Sequence, residues 1–132
     1  TYYDLLIGLD ATVFPSYYEP WGYTPHESIA FSVPTITTSL SGFGAWATSM
    51  QAHTIETGVE VIPRNDDNFD HVSHTIATTL IKLAAMSATD IQQTKEAALA
   101  LANQADWQHF IDHYRKAYAL ALKASTSRQS EA

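Results

Sequence analysis

The residues best suited to chemistry lie in YYEPWGYTPHE, positions 17 to 27, where Glu19 and Glu27 sit among four aromatic residues, two prolines and a glycine. Such a segment is either a core-forming turn that carries two acids or a place where a polar ligand is held. Thr24, Pro25 and Glu27 read as the N-cap, first and third residues of a helix start. A helix start offers free backbone N–H groups and a positive dipole end, which suits an anion. Gly22 lets the backbone approach a ligand closely. The same residues have plainer readings: Glu27 as the acid of a capping box, Glu19 as a solvated turn residue, Trp21 and Tyr23 as packing. Residue types alone support a polar ligand site and no particular reaction.

Other groupings carry less. His109 and His113, one helical turn apart, lack a motif carboxylate between them, so a solvated face is expected rather than a metal pair. His71 and His74 read the same way, and Ser41 in LSGFG lacks the G-x-S-x-G pattern of a nucleophile. No metal and no cofactor is expected.

The elements that must position the segment follow from pattern. YDLLIGL (3–9) reads as a lead-in helix, and ATVF (11–14), PTITT (34–38) and VEVIP (59–63) as strands bounded by prolines. SLSGFGAW (39–46) reads as a glycine-bearing loop able to approach a ligand. Beyond Phe69 the pattern is helical, with Val72, Ile76, Leu80 and Leu83 on one face and Ser87 and Asp90 opening a second helix. A closing helix over about 106–125 aligns Trp107, Phe110, Tyr114 and Tyr118, and residues 126–132 read as a frayed tail. Strands alternating with helices predict one α/β domain over 1–132, with a small parallel sheet followed by C-terminal helices. In such sheets ligands bind outside the carboxyl ends of the strands, where FPS leads into the two acids.

The 132 residues are 45% hydrophobic and 16% charged, with no cysteine, which fits one soluble domain without disulfides or thiolate metal sites. Residues 1–63 contain Asp4, Asp10, Glu19, Glu27, Glu56 and Glu60 but no Lys or Arg; the first cation is Arg64. Nothing near the acids could neutralise phosphates, so nucleic acid and anionic membranes are excluded as partners. The opening TYYDLLIGLD has no basic leader pattern, and a three-strand sheet is small. The chain is therefore expected to be cut from a longer protein with further strands upstream.

VFPSYYEPWGYTPHESIAFSVPTITTSLSGFG resembles the C-terminal half of glycogen synthases of the animal and fungal type, glycosyltransferase family 3. The family's E-P-W-G-Y-T-P, G-V-P-x-I-T-T and L-S-G-F-G are matched, with Ser32 replacing the usual glycine, and DW (106–107) and YRKAYALAL (114–122) resemble its closing helix. The resemblance implies part of a Rossmann-like C-terminal domain of the GT-B fold. It also implies cytoplasmic transfer of glucose from UDP-glucose to the non-reducing end of an α-1,4-glucan (glycogen), with retained configuration. Glu19 and Glu27 match the E-x7-E pair: Glu19 at the reacting centre as electrostatic support, Glu27 accepting from the ribose hydroxyls. Trp21, Gly22, Tyr23 and Thr24 would hold glucose and diphosphate, and Tyr2, seventeen residues before Glu19, would stack on uracil. Phosphate-binding cations would come from a segment upstream of residue 1, and the acceptor side from an N-terminal domain of the same chain, so the fragment alone is expected to be inactive. The exposed face of the closing helix is expected to meet that domain or to favour a homo-oligomer.

One departure matters. Eukaryotic members carry an arginine-rich helix that binds glucose-6-phosphate before the final D-W. MSATDIQQTKEAALALANQADW (86–107) has Lys95 and no arginine, which implies an unregulated, bacterial-type member. The competing readings are an ADP-glucose-dependent starch or glycogen synthase, which shares E-x7-E without the P-W-G-Y-T-P aromatics, and a non-catalytic nucleotide-sugar-binding module.

Overall fold

The computed structural model describes residues 1–130. Helix α1 (Tyr2–Ile7) is capped by Thr1, whose hydroxyl accepts from the Asp4 N–H. Three strands follow, β1 (Thr12–Phe14), β2 (Thr35–Thr38) and β3 (Val59–Ile62). They form a parallel sheet in the order β1-β2-β3, with Thr12 opposite Thr35 and Thr35 opposite Val59. All three run in one direction, so their carboxyl ends share one edge. Helix α2 (Tyr23–Ala30) and helix α3 (Gly42–Ser49) connect the strands, the second followed by a single 3-10 turn at Ile55–Thr57. Helices α4 (Phe69–Ala85), α5 (Ala88–Gln104) and α6 (Trp107–Ser130) complete the chain. The expected α/β class and small parallel sheet are present.

The two faces of the sheet each carry a core. Val59 and Val61 pack with Ile29, Phe43, Ala47, Ala98, Leu101 and Ala102, which brings α2, α3 and α5 onto one face. Ile36 and Ile62 pack with Ile55, Val72 and Leu83, which brings α4 onto the other. Every residue of β2 is buried, as a central parallel strand covered on both faces requires. Its threonines are tolerated because their hydroxyls are paired. Thr12 Oγ1 lies 2.9 Å from Thr35 Oγ1 and 2.6 Å from Ser28 Oγ, a buried knot that seats α2 on the sheet.

Three boundaries differ from the sequence reading. Thr24 is not the N-cap of α2: Gly22 is, with φ 104° and ψ 76°, and no side chain caps the helix. The glycine admits a left-handed turn that starts the helix earlier, leaving Pro25 in its first turn and Glu27 beyond capping reach. The segment read as a loop at 39–46 is largely α3, because Ser41 Oγ accepts from the Gly44 N–H at 2.9 Å and so nucleates a helix. The closing helix continues to Ser130, past the residue 125 end expected; the last two residues of the expected tail lie outside the described residues. No helix among the described residues is long and apolar enough to cross a membrane.

Candidate functional site

Glu19 lies at the carboxyl edge, held by its backbone. Its N–H donates to the Leu40 carbonyl at 3.2 Å, and its carbonyl accepts from the Gly42 N–H at 3.0 Å. Two residues on, the Trp21 carbonyl accepts from the Phe43 N–H at 2.6 Å. Glu19 and Ser41 thus form an isolated parallel bridge that extends the pairing beyond the ends of the strands. The N-terminus of α3 is consumed by this clamp. The close approach expected of SGFG is made to the Pro20–Trp21 backbone: a Cβ on Gly42 would lie 2.1 Å from the Pro20 carbonyl oxygen.

The N-terminus of α2 is different. Tyr23 and Thr24 occupy its first turn, both exposed, and Pro25 has no N–H. The Tyr23 and Thr24 N–H groups have no intrahelical acceptor and no side-chain cap. They form an anion-accepting end two residues from the Trp21 backbone.

Four of the remaining predicted residues divide between two cavities. Tyr2 and Thr24 line one of about 380 Å³, with Leu6, Leu9, Thr12 and Phe14. Trp21 and Tyr23 line another of about 410 Å³, with His26, Trp107, Phe110 and Tyr114. The α2 start stands between them. Glu19 lines neither cavity. Glu27 is half-buried, and its Oε1 accepts from the Tyr3 hydroxyl at 3.4 Å, a long bond that ties α1 to α2. Tyr3 also stacks on Phe31, ring centroids 5.2 Å apart.

Around Trp21 the packing is aromatic. Its ring meets Phe43, Trp46, His26 and Phe110 at 5.7–6.3 Å. His26 stacks on Phe43, and burial holds its imidazole below the ordinary value, against a backbone hydrogen bond with Ala102 and the charge of Glu27. Ser41 is a buried helix cap, and no cluster of three metal-ligating side chains exists among the described residues.

Sequence reasoning missed the part played by Arg64, although its signal was visible: the first cation after 63 residues stands just past a strand end. Arg64 is buried at the carboxyl edge, where its Nη1 donates to the Pro15 carbonyl at 2.9 Å.

A parallel sheet covered by helices, with an acid clamped at its carboxyl edge beside an uncapped helix start, defines the class: part of an open α/β domain, of the kind that binds ligands at its strand ends. The chain belongs to the glycogen synthase family, whose model matches residues 1–131. It is 32% identical over 122 residues to the glycogen [starch] synthase of Neurospora crassa and 34% identical over 125 residues to that of Caenorhabditis elegans. It is 31% identical over 121 residues to the liver glycogen [starch] synthase of Homo sapiens. Each match covers 92% of the chain but only 17–18% of the relative.

Proposed function

We propose that this chain is the donor-binding part of a retaining, GT-B glucosyltransferase that moves glucose from UDP-glucose to the end of an α-1,4-glucan in the cytoplasm. The observation that carries the reading is the pairing of Glu19 with the free α2 N-terminus at one edge of the sheet. The Tyr23 and Thr24 N–H groups receive the diphosphate, whose negative charge grows as the glycosidic bond breaks. Tyr2 and Thr24, sharing a cavity, take the nucleoside side. Glu27 accepts from the ribose hydroxyls after exchanging its weak Tyr3 bond for a ribose one. Glu19 supports the positive charge that develops at the anomeric carbon, and the leaving diphosphate takes the acceptor's proton on the same face. The bond to diphosphate breaks, the bond to the glucan hydroxyl forms, and configuration is retained.

Residues 1–63 carry no Lys or Arg, so the chain by itself binds UDP-glucose weakly and transfers none. Assay of the intact protein with UDP-glucose and ADP-glucose on a glucan primer tests the reading. Transfer from UDP-glucose is expected; a preference for ADP-glucose overturns the donor, and turnover of neither overturns the enzyme. Tight calorimetric binding of UDP-glucose by the isolated chain, or its turnover, overturns the division of labour.

A further inference from the structure

One charged group at the carboxyl edge has no part in the donor reading. Arg64 follows β3 and is only 8% exposed. Its backbone N–H donates to Ser39 Oγ at 3.0 Å, past the end of β2. Its Nη1 reaches the Pro15 carbonyl past the end of β1, and its Cζ lies 3.5 Å from the centroid of the Tyr17 ring. The sheet order is β1-β2-β3, so this side chain crosses the middle strand, a span of about 10 Å between strand axes.

A guanidinium placed there is costly. Among the described residues the ion pairs lie elsewhere, and Arg64 Nε is buried with no acceptor. A buried charge without a carboxylate partner lowers stability relative to an apolar residue of similar volume. Fold stability alone therefore gives no reason for arginine at this position.

What the side chain does secure is the approach to Glu19. Tyr17 and Tyr18 are 51% and 80% exposed, so burial does not fix the segment between β1 and the acid. It is pinned instead by Arg64 at Pro15 and Tyr17, and by Thr38 Oγ1, which donates to the Ser16 carbonyl at 2.6 Å. The clamp from Leu40 and Gly42 then takes over at Glu19. We propose that Arg64 is a positioning residue for Glu19, fixing the loop that delivers this carboxylate to the reacting centre. The inference rests on the donor-site reading. Lysine is a poor replacement in this role, because one compact ammonium cannot donate to the Pro15 carbonyl and sit over the Tyr17 ring at once, as the forked guanidinium does.

The test is a double-mutant cycle in the intact enzyme, comparing wild type, Arg64→Lys, Glu19→Gln and the double variant with radiolabelled UDP-glucose. Arg64→Lys is expected to lower kcat about 10–100-fold through misplacement of the acid. Donor KM is expected to stay within about 2-fold. On the Glu19→Gln background the same change is expected to lower kcat no further. An unaltered kcat, a raised KM at constant kcat, or equal losses on both backgrounds overturns the proposal. Where Arg64→Lys does not fold, Tyr17→Ala is expected to lower kcat about 10-fold or more at nearly constant donor KM, and Tyr17→Phe to keep wild-type turnover; wild-type kcat in Tyr17→Ala overturns the proposal. Wild-type turnover in Glu19→Gln alone would sink the donor-site reading itself, which separates that failure from failure of the positioning role.

Discussion

Gly42 donates its backbone N–H to the Glu19 carbonyl at 3.0 Å, while any Cβ on Gly42 would lie 2.1 Å from the Pro20 carbonyl oxygen. The obstructing atom is backbone, so it cannot rotate away. Gly42→Ala must push α3 off the Glu19 segment, costing about 1–3 kcal/mol of stability by overpacking. Displacing the acid by an ångström is expected to lower kcat about 100-fold. Urea unfolding and donor kinetics on the intact protein check both; wild-type values in the two would show that the clamp does not position Glu19.

The two acids should separate kinetically. Glu19→Gln keeps shape and removes charge, and is expected to reduce kcat about 100–1,000-fold, the size of losing one preorganised transition-state contact. Folding, measured by circular dichroism, should not change. Glu27→Gln removes a charged acceptor for a hydroxyl, worth about 1.5–3 kcal/mol, and is expected to raise donor KM about 10-fold or more at nearly constant kcat. Tyr3→Phe removes only the long 3.4 Å bond to Glu27 and is expected to shift KM less than about 3-fold. Matching effects for Glu19→Gln and Glu27→Gln would contradict distinct roles.

His26 makes stability pH-dependent. Burial lowers its folded-state value below the ordinary 6.5, so the folded state prefers the neutral ring. The stability it contributes is present above 6.5 and is lost as pH falls through the lowered folded value. Glu60 acts in the opposite sense. Burial raises its value from the ordinary 4.5, so its contribution is complete below 4.5 and lost as pH rises through the raised value. Comparing His26→Phe with wild type cancels the Glu60 part, and the new ring keeps the stack on Phe43. Between about pH 7.5 and pH 5.5 the variant is expected to lose less Tm than wild type. Equal losses would mean that His26 does not couple folding to protons.

The three strands were legible because β-branched runs end at Pro15 and Pro63 or begin after Pro34, and proline leaves little choice of boundary. The acids stood out by their density of aromatic neighbours. Less was legible where local rules competed. Thr24-Pro25-His26-Glu27 fits a capped helix start, yet the left-handed conformation of Gly22 begins the turn two residues earlier. In LSGFG the glycines signalled a loop, but Ser41 as a cap and the packing of Phe43 outweigh glycine's modest helix penalty. The reach of Arg64 across the sheet depends on strand order, which no local pattern encodes.

The last prediction concerns regulation. Recognition of a phosphate monoester by a helix face calls for guanidinium forks, which bind phosphate oxygens two at a time. Helix α5 presents Asp90, Lys95 and Glu96 as its charged residues, so it offers one ammonium and no guanidinium. Lys82 of α4 is already paired with Glu56, whose carboxyl that pairing holds below the ordinary range. An allosteric anion typically changes affinity about 5–150-fold, and such coupling needs contacts that these helices do not offer. Millimolar glucose-6-phosphate is therefore expected to change the Vmax and the UDP-glucose KM of the intact enzyme by less than about 2-fold. Activation of about 5-fold or more would place an anion sensor outside α4 and α5 and overturn the reading of an unregulated synthase.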